Sequence, residues 1–213
     1  MNYFNSYIIN LDERSDRLND FLINHAEYGY SGIEFSRISA IKDEDFGGLG
    51  CAKSHLIALC DYIARGSAPY CLIIEDDFRF KRDYNFFLNQ VIPFIEGRND
   101  LNVFMLAGTK VLSRTLDTNF VEIFEGQSAA GYIIERKYVP QIIDCFLRSI
   151  LNMEKFRTME QRNLIYDRFS IDQTWKKLQQ DGGWFACSEM VGFQVASFSD
   201  IEKRIVDYSN ISS

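Results

Sequence analysis

The stretch Tyr70-Cys71-Leu72-Ile73-Ile74 runs five largely apolar residues straight into three carboxylates, Glu75, Asp76 and Asp77. A strand that is apolar at every position has no face to give to water, which points to a sheet covered on both sides. Its carboxyl end is where such a sheet opens into a cleft, and ligands of open α/β sheets collect there. Three adjacent carboxylates repel one another unless a cation joins them. The segment therefore constrains both the fold and the place to look for function.

The rest of the chain alternates in the same way. Tyr3 to Asn10 reads as a strand, and Leu18, Phe21, Leu22 and His25 follow at helical spacing with Ser15 as an N-cap. Ile33 to Ile38 is a weaker strand. Leu56, Leu59, Cys60 and Ile63 form a second helical stripe that Gly66 stops, and Tyr84 to Ile95 a third that Pro93 kinks or shortens. Asn102 to Leu106 reads as a strand followed by a turn at Ala107-Gly108-Thr109. Asn119 to Ile123 and Ala130 to Ile134 are strands that could pair, and Val139, Ile142, Ile143 and Phe146 mark a helix. Ile171, Thr174, Trp175 and Leu178 suggest a short helix ended by Gly182-Gly183, with a last strand over Trp184 to Ser188. Strands alternating with helices imply an α/β domain with a mainly parallel central sheet flanked by helices. It spans 1–205, with 206–213 as a polar tail or the start of a linker to further domains of a longer chain.

The 213 residues are 46% hydrophobic, enough for one sizeable core. A net charge of −7 argues against nucleic acid as a partner, because a nucleic-acid surface needs a basic face. The five cysteines are odd in number and hold no C-x-x-C pair, so neither a disulfide frame nor a zinc site is read from them, and a reducing, cytoplasmic setting is expected. With only His25 and His55, a histidine-rich metal site is excluded. No run approaches the roughly 20 apolar residues of a membrane span.

Hard divalent cations such as Mg2+ or Mn2+ take one or two carboxylates together with substrate phosphates. Glu75-Asp76-Asp77 could hold such an ion against a diphosphate. Other polar junctions join it. Asn10-Leu11-Asp12-Glu13-Arg14-Ser15-Asp16-Arg17 follows the first strand, and arginine's planar fork suits a diphosphate. Gly47-Gly48-Leu49-Gly50-Cys51-Ala52-Lys53-Ser54-His55 reads as a glycine-rich turn with Lys53, Ser54 and His55 near a helix N-terminus, where free N–H groups favour anions. His55 also lies on the apolar stripe, so a core histidine fits it equally. Trp175 and Trp184 suit either sugar stacking or the core.

In this order, INLDERSDRL, GCAKSHL, LIIEDD, AAGYIIERKYV, SIDQTW and SFSDI resemble glycosyltransferase family 25, the group of lipooligosaccharide and procollagen galactosyltransferases. The pattern is also similar to glycosyltransferases of large algal viruses. The resemblance runs from Tyr7 to about Ile201. It implies a GT-A-like fold, a metal-dependent transferase, a UDP-sugar donor, a glycan or glycoconjugate acceptor, and a host-cytoplasm location if the chain is viral. Carried over by residue, it implies Asp77 as the metal ligand, with Asp76 and Asp200 completing the shell and Lys203 and Arg204 near by. Glu75 would touch the metal or the donor ribose, since Glu-Asp-Asp departs from the more usual Asp-x-Asp. Asn10, Leu11, Asp12, Arg14 and Arg17 would lie along the nucleotide. Asp172 would be the base that deprotonates the acceptor hydroxyl; a first-turn aspartate favoured by the helix dipole fits it as well. The competing readings are a magnesium-dependent phosphohydrolase and a non-catalytic nucleotide-sugar-binding module.

Overall fold

The structure, a computed structural model, describes residues 3–157, 162–195, 197–199 and 204–206. Strand β1 (Phe4–Asn10) leads into helix α1 (Ser15–Glu27), β2 (Ser36–Ser39), helix α2 (Gly47–Arg65) and β3 (Tyr70–Glu75). Short β4 (Phe78–Phe80) precedes a helical stretch made of α3 (Tyr84–Phe86), a wider turn at Phe87–Val91 and α4 (Ile92–Glu96). Then come β5 (Val103–Met105), β6 (Thr109–Thr115), β7 (Phe120–Gln127), β8 (Gly131–Glu135), α5 (Val139–Phe156), α6 (Arg162–Phe169), α7 (Ile171–Thr174), α8 (Lys176–Gln179), β9 (Trp184–Cys187), β10 (Gly192–Gln194), β11 (Ser197–Ser199) and β12 (Arg204–Val206). The expected polar tail beyond 206 lies outside the described residues.

Eight strands form one sheet in the order β2-β1-β3-β8-β5-β9-β7-β6. β8 and β7 run against the other six, so the sheet is mostly parallel in direction while four of its seven ladders are antiparallel. The two strands that could have paired, β7 and β8, are not neighbours in the sheet. β8 is inserted between β3 and β5, and β7 pairs with β6 and β9. Local apolar pattern identifies a strand but not its neighbour, which tertiary packing selects. β6 replaces the expected turn after Gly108; its residues from Leu112 on are exposed, as suits an edge strand.

The apolar run of β3 serves both faces of the sheet. Cys71 and Ile73 pack with α2 and α5 residues such as Leu59 and Phe146. Leu72 and Ile74 pack on the other side with Phe21, Phe87 and Ile92. Strand side chains alternate between faces, and each face has its own core. Trp175 and Trp184 are 1% and 0% exposed within the α2/α5 core, their rings 5.1 Å apart, which settles them as core residues.

Pro93 does not end its helix. It lacks the N–H that would bond back one turn and its ring presses on the preceding turn; the wider turn at Phe87–Val91 sits just where that conflict falls, and helical structure continues to Glu96. Ser15 is the first helical residue of α1, with Arg14 in the capping position. The expected stops at Gly182 and Gly183 are met by φ values of +83° and +78°.

Candidate functional site

β2, β1 and β3 are parallel neighbours, with Asn10 opposite Ser39 and Ile9 opposite Glu75. Their carboxyl tips therefore line up, and the two polar junctions read from sequence, Asn10–Arg17 and Glu75–Asp77, become one site. On the other side of β3, the start of β8 joins them: the Glu75 N–H donates to the Ala130 carbonyl at 2.8 Å.

Strand alternation separates the three carboxylates. Glu75 turns to the α2 face, where Oε1 lies 3.0 Å from His55 Nε2 and accepts from Cys51 Sγ at 3.3 Å. Burial pushes its carboxyl up, yet His55, Cys51 and Arg17 outweigh burial and hold it below its ordinary value. Asp76 turns to the α1 face. Its Oδ2 accepts from Asn10 Nδ2 at 2.7 Å and its Oδ1 lies 3.3 Å from Arg17 Nη1. Burial still leaves it raised. Asp77 Oδ2 accepts from Gln194 Nε2 at 3.1 Å and lies 3.7 Å from Arg17. Asp77 Oδ1 is buried with no hydrogen-bond partner. Burial, then Glu75 and Asp76, push the Asp77 carboxyl up to about 7.

Asn10 is the hinge of the junction between β1 and α1. Its Nδ2 also donates to the Arg14 carbonyl at 2.8 Å, and its Oδ1 accepts from Arg37 Nε at 3.0 Å. Asp12 accepts from Arg37 Nη2 at 2.5 Å and from Ser39 Oγ at 2.9 Å. The Leu11 carbonyl accepts the Arg14 N–H at 2.9 Å, closing the turn into α1. Arg14 bonds Asp16 at 3.0 Å. Arg14, Arg17, Asp20, Asn24, Arg79 and Val195 line a cleft of about 520 Å³ beside the acidic tip. Arg79, kept in place by the Asp76 and Phe78 carbonyls at 2.9 and 2.8 Å, was not foreseen from sequence.

The GCAKSHL stretch folds differently from its sequence expectation. Gly47 to Gly50 are the first turn of α2, which puts Lys53, Ser54 and His55 in the second and third turns, where backbone N–H groups are already used within the helix. Lys53 pairs with Glu154 of α5 at 2.5 Å, directed away from the carboxylates. Ser54 Oγ donates to the Gly50 carbonyl at 2.7 Å and accepts the Ile41 N–H at 2.8 Å, pinning the loop that precedes α2. Gly50 permits that contact, since a Cβ there would sit 2.3 Å from the Ile41 carbonyl oxygen. Of the three, only His55 reaches the acidic tip.

Asp172 stands in the first turn of α7. Its Oδ1 accepts from Ser170 Oγ at 2.7 Å and its Oδ2 from the Ser128 N–H at 3.2 Å. Ser128 has φ +84° in the connection entering β8, and its Oγ is 3.5 Å from Gln194 Oε1. A chain of polar contacts thus runs from Asp77 through Gln194 and Ser128 to Asp172. Asp200 and Lys203, and the side chain of Arg204, lie outside what is described.

Besides Arg79, sequence reasoning missed Cys51, Gln194, Ser128, Arg37 and Tyr132, whose hydroxyl lies 3.1 Å from His55 Nδ1. Cys51 carried a signal: it is four residues before His55, hence on the same helix face. The cysteines do not form a zinc-type pair in sequence, but the structure groups Cys51, His55 and Glu75 with one ligand atom from each within 4.8 Å of the others.

Strand order, covered sheet faces and polar strand tips define a GT-A-like α/β fold. Two solved structures share it. The crystal structure of A197 from STIV superposes with a TM-score of 0.51 at 12% identity, covering 99% of this chain and 96% of that one. A glycosyltransferase involved in glycosylation of the major capsid of PBCV-1 superposes with a TM-score of 0.51 at 8% identity, covering 94% and 96%. No protein-family model and no curated protein matches the chain. No helix among the described residues is long and apolar enough to cross a membrane.

Proposed function

We propose that this protein is a metal-dependent glycosyltransferase that moves a sugar from a UDP-type donor to a hydroxyl of a glycan or glycoconjugate, as its resemblance to family 25 motifs suggests. The observation that carries the reading is the buried, partnerless Oδ1 of Asp77 at the carboxyl tip of β3. A buried carboxylate oxygen without a hydrogen bond is costly, and a hard dication such as Mn2+ or Mg2+ is the partner such an oxygen suits. The capsid glycosyltransferase with the same fold supports the choice of reaction.

Asp77 would hold the ion, with Asp76 behind it and Asp200 as a further candidate. A bound dication at this point would offset the charge of a departing diphosphate. Asp76 is already engaged by Asn10 and Arg17, so its part is to orient Arg17 rather than to supply a free oxygen. Arg17 and Arg14 face the cleft and suit phosphate oxygens. Asn10, Leu11 and Asp12 shape the turn along which the nucleoside would lie, and Glu75 would reach the ribose or the metal. Asp172 is our candidate base, its lone pairs oriented by Ser170 and Ser128.

The test is calorimetric titration of UDP with Mn2+ and then with chelator, alongside donor turnover in Asp77→Ala and Asp172→Asn. Metal-requiring UDP binding, lost in Asp77→Ala and kept in Asp172→Asn while turnover falls in both, is the expected result. Wild-type turnover in Asp77→Ala defeats the metal assignment. Phosphate release from simple esters would move the protein to the phosphohydrolases, and tight donor binding without transfer to any acceptor to the binding modules.

A further inference from the structure

Cys51 and His55 lie on one face of α2, aimed at the tip of β3. Glu75 Oε1 is their common point, 3.3 Å from the sulfur and 3.0 Å from His55 Nε2. His55 is fully buried, and its other nitrogen lies 3.1 Å from the Tyr132 hydroxyl. That outer contact fixes the ring with Nε2 toward Glu75, the service that outer hydrogen bonds perform for metal-binding imidazoles.

A run of carboxylates gives a second reason to expect a cation: Glu75 is followed at the tip of β3 by Asp76 and Asp77. Asp77 adds the buried oxygen that finds no hydrogen-bond donor. The ligand chemistry then selects the ion. One sulfur, one imidazole nitrogen and one carboxylate oxygen form a borderline-soft set that favours zinc-class dications over Mg2+.

We propose that Cys51, His55 and Glu75 form a binding site for a zinc-class divalent cation, separate in ligand chemistry from a hard-cation site at Asp77 and meeting it through Glu75. On binding, the Cys51 S–H bond gives way to a sulfur–metal bond and its proton leaves to solvent, while the proton that His55 Nε2 directs at Glu75 is given up so that Nε2 is free to bind and Nδ1–H donates to the Tyr132 hydroxyl; no electrons change hands. Three protein ligands leave one tetrahedral position for an outside ligand. The proposal does not rest on the glycosyltransferase reading.

Cobalt(II) titration into the metal-free full chain, followed by absorption, tests it. One equivalent should give intense tetrahedral visible bands with a near-ultraviolet thiolate-to-cobalt band, both displaced by zinc. Cys51→Ser should abolish the near-ultraviolet band, the exposed-cysteine control Cys60→Ser should keep it, and His55→Gln should weaken cobalt binding at least 10-fold. Cys51→Ala, which adds no hydroxyl, answers the same question if the serine variant folds poorly by circular dichroism. A weak, oxygen-type spectrum indifferent to Cys51→Ser would put the metal on the aspartates and overturn the proposal. Absence of bound cobalt would overturn it too, leaving a closed hydrogen-bond network. Donor transfer with Mn2+, measured separately, shows whether the two readings stand or fall independently.

Discussion

Glu75 is the last residue of β3 and Asp77 stands two residues on in the turn, and their surroundings treat them in opposite ways. The α2 face gives Glu75 a buried imidazole and a thiol, and the carboxyl is held below its ordinary value. Asp77 has one amide hydrogen bond from Gln194 of β10 and the Arg17 guanidinium at 3.7 Å, and burial wins. The fold satisfies one acid internally and leaves the other dependent on something from outside.

The comparison breaks most sharply at Asp77. Asp77→Asn should lower donor turnover by about 100-fold or more, the scale of losing an electrostatic contact made to developing charge; steady-state rates at saturating donor read it. The same variant at Glu75, Glu75→Gln, should be defective in folding stability as well as in activity, because His55 and Cys51 lose the charge they face.

Acid–base behaviour separates the two residues next. An unfolded Asp77 titrates at its ordinary 3.8 and a folded one at about 7. Between those values the folded chain keeps a proton that the unfolded chain has released, so this contribution to stability falls as pH rises through the window. Metal-free protein should lose on the order of a few kcal/mol from pH 4 to 8 by this route; Asp77→Asn should flatten the loss in denaturant titrations, and added Mn2+ should raise Tm more at pH 8 than at pH 5. Glu75 has the reverse sign: its folded carboxyl is lowered, so its contribution is present above its ordinary value and is lost as pH falls through the folded one.

His55→Ala should cost about 3 kcal/mol, the scale of leaving a buried carboxylate without its hydrogen-bond partner, measured as a fall in denaturation midpoint. The smallest effect sharpens the contrast from outside the site. Lys53→Ala removes a partly exposed pair with Glu154 and should change stability by less than about 1 kcal/mol and UDP binding not at all. A large loss of UDP affinity in that variant would restore Lys53 to the nucleotide site.

Legibility in sequence followed the range of the information. β1, β3 and β5 could be read because their apolar runs are local, and Glu75-Asp76-Asp77 because three acids ending such a run are conspicuous. β6 went unread beyond the turn at Ala107-Gly108-Thr109 because an exposed edge strand needs no apolar pattern. The insertion of β8 between β3 and β5 left no local trace. Gln194 and Ser128 escaped for the same reason: each is a single polar residue whose role depends on the neighbour that topology gives it. Lys53 and Ser54 misled because glycines that look like a turn were the first turn of α2, made necessary by the close Ile41 carbonyl.

That insertion also sets an order of assembly. β1, β2 and β3 lie within the first 75 residues and can zip together as soon as they emerge from the ribosome, bringing Asn10 against Asp76. β8 arrives some 60 residues later to close the far side of β3, and Gln194 reaches Asp77 later still. Contacts this distant in sequence form late and slowly. A nascent chain therefore already holds Asn10, Arg17 and His55 against the acidic tip, and what it still lacks is the Gln194 amide that Asp77 gains last.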